Sequence, residues 1–429
     1  MARLLVVAHN AFGRNTNMGK TLTSYFDGGN VDEIAEIYLH SEIPNGSICG
    51  NFYRMTDIDA IRSIVFRNRC GGKINCSDSD LNGGNPGTDT GLVVKVYQRG
   101  RRRTPITYIL RNAWWACSAW NSKQLKKWLD DFEPSAIFFA SGDYSFSYRI
   151  ACELAKQRKI PLIVCCMDDY YLYNKNESSI LGRWQHKRFM KVVAATMAQA
   201  SCIMAINDKM SQMYEQMFNK RCFTLHTGAK QKRAPFSDDE KEGISYLGNL
   251  SLGRNEQLVT IGRVLKQISS ELYLDVYSGE KNPEFLKELT SENGIRFHGA
   301  ISAEQVSETI AKSLAIVHTE SFDKENKHRV MYSTSTKIAE SLASGTCLVA
   351  YGPAEVASME YLIKNDAAIT ITSPDELRLS LTRALKDAEL RKKVVTNALR
   401  LAEDNHRVEK VTSTVRAAVQ FACNSYQGE

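Results

Sequence analysis

The sequence predicts an α/β protein of two Rossmann-like doubly wound domains facing each other across a cleft. Three observations predict it. Short apolar runs alternate with helical patterns along most of the chain. Its 429 residues exceed what one ordinary core organises. A polar stretch with no apolar period, "TGAKQKRAPFSDDEKEG" (227–243), divides one series of runs from the next.

The first series is "RLLVVAH" (3–9), "IAEIYL" (34–39), "AIFFA" (136–140), "PLIVCC" (161–166) and "CIMAI" (202–206). Runs this short and continuous suit parallel strands covered by helices on both faces. Residues 78–91, rich in Asp, Asn and Gly, read as a mobile loop. The second series is "ISYLG" (244–248), "LYLDVY" (272–277), "IRFHG" (295–299), "LAIVHT" (314–319), "CLVAY" (347–351) and "AAITI" (367–371). After it, Ser373-Pro-Asp-Glu opens a helical segment with proline at the first helical position. The expected division is a first domain over 1–230, a linker over 231–243, a second domain over 244–405, and a C-terminal helix over 406–429 packing back on the first domain. In doubly wound folds ligands bind at the carboxyl ends of the strands, so two such domains suit two substrates that must meet.

No run reaches the ~18 apolar residues of a membrane span; "VVAATMAQASCIMAI" (192–206) is shorter and holds Gln199. "LLVVA" is too short for a signal-peptide core, so the expected location is cytoplasmic. Eleven cysteines with no C-x-x-C pair fit a reducing compartment. His40, Cys49, Cys70 and Cys76 match no zinc spacing, and no metal site is expected.

The net charge of +7 is unevenly spread. Residues 98–132 hold Arg99, Arg101, Arg102, Arg103, Arg111, Lys123, Lys126 and Lys127, with four of the five tryptophans. Cations beside tryptophan suit an anionic membrane surface, which would place the protein on the inner face of a membrane. Ordinary core helices with a solvated charged face fit the same residues equally well. Nucleic acid is not an expected partner, because no recognised reading module accompanies the patch.

"VVAHNAFGRNTNMGKTLTSYF" (6–26) ends in Met18-Gly19-Lys20-Thr21, which looks like the close of a phosphate-binding P-loop. The P-loop pattern is G-x-x-x-x-G-K-[ST]. Here five residues separate Gly13 from Gly19, and Arg14 stands where the pattern needs glycine. "PLIVCCMDDYY" (161–171) mimics an acidic strand end that holds magnesium, but a triphosphatase leaves the second half without a role. The turn is therefore expected to be a cleft loop. Gly19 would admit close backbone approach, with Lys20 at a phosphate or in solvent and Asp168 across from it.

From Gly243 onward the chain resembles the donor-binding domain of GT-B glycosyltransferases, especially the retaining family-4 type (group 1). "YLGNLSLGRNEQLVTIGRVL" (246–265) resembles that family's first strand, glycine loop and helix. "IRFHGAISAEQVSETIAKSLAIVHTES" (295–321) resembles its strand–glycine turn–helix–strand segment. "STSTKIAESLASGTCLVAYGP" (333–353) resembles its helix whose glutamate binds the ribose. With "DDYYLYN" and "CIMAINDKMSQMYEQMF", the likeness runs over most of residues 135–400. It implies donor contacts from Gly248, Asn249, Arg254, Gly299, Ser335, Thr336, Lys337 and Glu340. Residues 333–337 precede a helix, whose free N–H groups suit a pyrophosphate, and Lys337 and Arg254 would neutralise it.

Two departures stand out. The family's paired glutamates, with seven residues between them, would put the first at Tyr332; Glu320 or Glu325, in the charged insert "HTESFDKENKHRVMY" (318–332), would stand in for it. Asn249 also replaces the arginine many relatives carry.

The resemblance implies transfer of a sugar from a nucleoside-diphosphate sugar to an acceptor hydroxyl, with retention and without metal or other cofactor. Glu320, Lys337 and Arg254 are the catalytic candidates. A UDP-sugar is the expected donor and a GDP-sugar the alternative. The expected acceptor is a glycan or polyprenyl-linked glycan of envelope polysaccharide or glycolipid assembly. An inverting enzyme would need a base, for which His9, Asp143, Asp168 and Asp169 lie at strand ends. The competing reading is a non-catalytic sugar-nucleotide-binding or scaffolding subunit of the same fold.

Overall fold

The computed structural model describes residues 3–13, 16–29, 33–45, 48–67, 69–74, 104–172, 179–229, 236–238 and 241–426. Arg14, Cys76, the 78–91 loop, residues 98–103 and much of the expected linker lie outside the described residues. The chain divides into two compact units: Met1–Leu225 with Val411–Glu429, and His226–Lys410.

Unit 1 runs β1 (Arg3–Ala8), α1 (Asn17–Phe26), β2 (Glu33–Tyr38), β3 (Asn51–Arg54), α2 (Asp57–Val65), β4 (Gly72–Ile74), α3 (Pro105–Cys117), α4 (Lys123–Phe132), β5 (Ala136–Ala140), α5 (Ser145–Arg158), β6 (Leu162–Cys166), α6 (Ile180–Gln199), β7 (Cys202–Ala205), α7 (Asp208–Phe218) and β8 (Cys222–Thr224). Its sheet has the order β4-β3-β2-β1-β5-β6-β7-β8. All neighbours are parallel except β3 and β4, which pair antiparallel through Tyr53 and Lys73. Strands β3, β4 and β8 have only three or four residues each, too few to stand out as apolar runs.

The strands expected from continuous apolar runs form the middle of this sheet. Leu4 to Ala8 are all buried, as are Ala136 to Ala140 and Leu162 to Cys166. Covering helices follow the 3.6-residue period: α4 buries Leu125, Trp128, Leu129 and Phe132 and turns its lysines outward. The last helix, α16 (Val408–Ser425), sends Val411, Val415, Ala418, Val419 and Ala422 into the same apolar core as Leu4, Val6 and Phe138.

Unit 2 contains β9 (Glu242–Leu247), α8 (Arg254–Ile268), β10 (Leu274–Tyr277), α9 (Pro283–Leu286), β11 (Ile295–Gly299), α10 (Ala303–Lys312), β12 (Ser313–Thr319), α11 (Lys324–Val330), α12 (Lys337–Ala343), β13 (Cys347–Tyr351), α13 (Ala357–Lys364), β14 (Ile369–Ile371), α14 (Leu377–Lys386) and α15 (Ala388–Asn405). Its six-stranded parallel sheet has the order β11-β10-β9-β12-β13-β14. The chain winds outward from β9 to β11, then returns beside β9 with β12. The crossover opens a crevice at the carboxyl ends of β9 and β12, where doubly wound folds bind ligands.

Candidate functional site

At that crevice lies a cavity of ≈ 240 Å³. Its floor is the end of β9 and the turn after it, Tyr246 to Asn249; Tyr277 to Gly279 and Ala300-Ile301 form one side, and Ile316 to Thr319 form another. Lys337 and Glu340 close it from α12, and Ser335 from two residues before that helix. The cavity thus gathers six of the residues expected to hold a donor: Gly248, Asn249, Arg254, Ser335, Lys337 and Glu340. Gly299 and Thr336 do not line it; their neighbours Ala300 and Ser335 do. Gly299, at φ +74°, instead bends the chain at the end of β11.

The turn after β9 is fixed by its own side chains. Tyr246, buried, donates its hydroxyl to the Asn249 carbonyl at 2.6 Å, and Asn249 Oδ1 accepts from the Ser251 N–H at 2.7 Å. A Cβ at position 248 would sit 2.4 Å from the Tyr246 hydroxyl, so only glycine fits. Gly253 takes φ +73° and faces Ser321 Oγ 2.6 Å from where a Cβ would be. That bend starts α8 and sets Arg254 on its first turn, facing the strand ends.

Arg254 carries the strongest interaction of the site. Its Nη2 donates to both carboxylate oxygens of Glu320 at 2.8 Å, and its Nε to the Thr319 carbonyl at 3.3 Å. Burial pulls the guanidinium toward neutrality, but the Glu320 carboxylate more than offsets this and raises its pKa. Nη1 has no hydrogen-bond partner among the described residues.

Glu320, expected as a catalytic group reaching the donor sugar, is 2% exposed and does not line the cavity. Both its oxygens are committed to Arg254, and a carboxylate buried without that cation would be strongly disfavoured. Its role is to hold Arg254. Glu325, the other substitute for the missing family glutamate, is exposed on α11 and also outside the cavity wall.

Lys337 begins α12 and lines the cavity, and its ammonium makes no hydrogen bond among the described residues. Desolvation by the cavity walls lowers its pKa first, nearby Arg254 lowers it further, and Glu340 opposes both. Two cations and one carboxylate therefore share one wall, and the repulsion between the cations is what a bound anion would relieve. His318, which sequence reasoning missed, lies at the end of β12. It is held neutral, first by burial, and its Nε2 lies 3.1 Å from Ser358 Oγ. The signal was present: one imidazole ends the otherwise apolar run "LAIVH".

In unit 1 the first-strand turn has another construction. The N–H of Ala11 donates to Glu42 at 2.7 Å, and that of Phe12 to the fully buried Glu36 at 2.9 Å. Gly19 N–H caps onto Thr16 Oγ1 at 3.1 Å, and Gly13 N–H onto Thr23 Oγ1 at 3.2 Å. Among the described residues, the amides of Ala11, Phe12, Gly13 and Gly19 already serve two carboxyl groups and two hydroxyls, which speaks against a phosphate on them. Gly19 is buried, and a Cβ there would sit 2.5 Å from the Ala11 carbonyl, so it is glycine for packing. Lys20 is exposed on α1.

The candidate bases occupy turn positions. Asp143 accepts from the Tyr108 hydroxyl at 2.6 Å. Asp168 Oδ1 accepts from the Asp169 N–H at 2.8 Å, and Asp169 from the N–H groups of Tyr171 and Leu172 at 3.1 and 2.7 Å. His9 packs its ring 5.0 Å from Tyr144. Cys49 and Cys70 are buried thiols; Cys49 Sγ donates to the Ile34 carbonyl at 3.3 Å.

Two of the four tryptophans of 98–132 are core residues. Trp115 is 2% exposed, stacks on Phe146 at 4.5 Å and donates to Asp57 at 2.8 Å. Trp128, also buried, donates to Asn51 at 2.8 Å. These two rings brace helices and cannot meet a membrane.

Residues 263–417 match the model of a family described as glycosyl transferase-like. The whole chain superposes on solved structures at low identity. Sucrose-phosphate synthase from Thermosynechococcus elongatus is 12% identical, with 98% of each chain covered and a TM-score of 0.60. Anabaena HepE in complex with UDP and glucose is 11% identical, with 98% of this chain and 100% of that one covered and a TM-score of 0.61. WaaG, a glycosyltransferase involved in lipopolysaccharide biosynthesis, is 12% identical over 100% of both chains, with a TM-score of 0.53. No curated protein matches in sequence. At such identities the shared property is the fold, and it is that of the GT-B glycosyltransferases.

Proposed function

We propose, on the premise that this is a GT-B glycosyltransferase with its glycosyl transferase-like domain in unit 2, that the cavity binds a nucleoside-diphosphate sugar and delivers the sugar to an acceptor hydroxyl. The observation that carries the reading is the meeting of Arg254, Lys337 and Glu340 around one hollow at the β9–β12 crossover. Lys337 and the free Nη1 of Arg254 lie where they would receive a diphosphate. The charge that grows on it as the sugar–oxygen bond breaks is what such preorganised cations stabilise. Glu340 would accept hydrogen bonds from the ribose hydroxyls. UDP is the favoured nucleotide, since HepE holds UDP in the same fold. Retention is part of the proposal: in a front-face route the leaving phosphate oxygen takes the acceptor proton. No side chain then needs to act as base, in keeping with the turn duties of Asp143, Asp168 and Asp169. The proposed acceptor is a glycan or lipid-carried glycan of envelope assembly.

Thermal-shift screening of UDP-, GDP- and ADP-sugars tests the donor, because a bound ligand raises apparent stability. UDP-sugars are expected to give the largest shift, and Glu340→Ala to remove it. Slow release of UDP from the matching sugar nucleotide in water tests turnover. Two features favour a second reading, a binding subunit without turnover: Tyr332 replaces the first motif glutamate, and Glu320 is sequestered. That reading predicts the thermal shift without UDP release.

A further inference from the structure

We propose that Tyr277 decides which base the donor cavity takes: its fixed ring leaves room for the single ring of a pyrimidine and excludes a purine. The inference rests on the reading of the cavity as a nucleotide-sugar site and adds the class of base to it.

The cavity has two sides of different chemistry. Lys337 and Glu340 stand on α12, between β12 and β13, and Arg254 reaches in from the first turn of α8. A diphosphate and ribose held there leave the base for the opposite side, where Tyr277 ends β10 and Ala300-Ile301 follow β11. That side is apolar: Ile301, and Val306 and Ile310 of α10, line it beside Tyr277. A flat base is buried against such walls while its charged tail stays on the cations.

Tyr277 is held from three directions. Its carbonyl accepts the Gly248 N–H at 3.0 Å, and its hydroxyl is hydrogen-bonded to the Thr309 side chain of α10. Its ring stacks on His298, with centroids 4.5 Å apart and planes 13° from parallel. The imidazole is fixed in turn, since His298 Nε2 lies 2.6 Å from Asp275 Oδ1. The β10–β11 ladder slips at this point: Val276 pairs with Phe297 but Tyr277 with Gly299, which leaves His298 as the extra residue of a bulge. Bulges beside ligand sites re-aim side chains, and here the extra side chain backs the Tyr277 ring. Gly299, at φ +74°, then turns the chain so that Ala300 and Ile301 reach the cavity. A loose tyrosine would swing aside for a larger base, whereas this one would have to give up its stack and its hydroxyl contact. The cavity of ≈ 240 Å³ also falls short of the ~300–1,000 Å³ of ordinary ligand pockets, so a second fused ring competes with Tyr277 for the same space. A fixed wall that clashes with the larger competitor is a direct route to specificity.

Calorimetry on the full chain tests this, with UDP and CDP as one-ring probes and GDP and ADP as two-ring probes. Wild type is expected to bind the pyrimidine nucleotides at least about tenfold more tightly than the purine ones. Tyr277→Ala should cut that preference to about threefold or less by admitting the purines. Tyr277→Phe keeps the ring and should keep the preference. Val306→Ala widens the same side without touching the stack and should move the preference in the same direction as Tyr277→Ala, which keeps the test open if that variant does not fold. Lys337→Met, at the charged side, should weaken all four nucleotides alike. Equal binding of purine and pyrimidine nucleotides by wild type overturns the proposal. So does an unchanged preference in both Tyr277→Ala and Val306→Ala, or its loss in Tyr277→Phe. A wild type that binds none of the four ends the donor reading and this inference with it, whereas UDP binding with an unmoved preference in the folded variants ends this inference alone.

Discussion

The turn after β1 and the turn after β9 occupy the same place in two doubly wound sheets. Each contains glycines and each leads into a helix, yet their electrostatics are opposite. In unit 1, carboxyl groups come to the turn: Glu36 and Glu42 accept the N–H groups of Phe12 and Ala11, so an anion would find those amides already taken. In unit 2 the turn's amides meet neutral acceptors: the Gly248 N–H donates to the Tyr277 carbonyl at 3.0 Å and the Ser251 N–H to Asn249 Oδ1 at 2.7 Å. The buried Glu320 is paired with Arg254, and Arg254 and Lys337 line the cavity together with Glu340. Two turns of similar outline can therefore have opposite ligand preferences, and the decision lies with groups supplied from other strands.

The largest expected effect breaks the ion pair of unit 2. Arg254→Met leaves Glu320 buried and unpaired and should cost about 3–5 kcal/mol in urea unfolding. The double variant Arg254→Met/Glu320→Leu should regain most of that stability and still fail to bind UDP. If Arg254→Met proved as stable as wild type, the pair would not be the brace described here.

Next comes pH, with opposite signs in the two units. His406 in unit 2 is lowered from 6.5 to about 4, first by burial and then by His226; it accepts from the Tyr361 hydroxyl at 2.9 Å and donates to the Thr227 carbonyl at 2.8 Å. The unfolded chain takes up that proton first, so the stability due to His406 is present above pH 6.5 and is lost as pH falls toward 4. The loss should be about 3 kcal/mol, and it should be absent from His406→Gln in acid titrations of stability. Glu36 in unit 1 is raised well above its ordinary 4.5, by burial first, against the Phe12 hydrogen bond. Its contribution is full below pH 4.5 and declines as pH rises through the folded value. Glu36→Gln should flatten that decline, read from stability measured across the pH range above 4.5.

The smallest effect is the most direct test of the comparison. Lys337→Met should weaken UDP binding about tenfold, roughly 1.4 kcal/mol, read by calorimetry. Lys20→Met, from the fragment that looks like a P-loop, should leave it unchanged within about twofold, because Lys20 is exposed on α1 and the turn before it is already satisfied. Loss of UDP binding in Lys20→Met would sink the contrast.

The sequence by itself determined the two doubly wound sheets, and the resemblance of its motifs to a known family pointed to Arg254, Lys337 and Glu340. Continuous apolar runs have few ways to be buried, whereas the side chains of the cavity wall were read from the likeness of the motifs rather than from spacing. Short strands such as β3, β4 and β8 escaped because three or four residues carry too little period to read. Tertiary structure decided what each charge does. Glu320 holds an arginine rather than a sugar, Gly19 is glycine because the Ala11 carbonyl lies over it, and Trp115 and Trp128 turn inward while Trp114 and Trp184 turn out. The reason is physical: a charge or ring takes its role from partners distant in the chain, and linear spacing carries no record of which partner arrives.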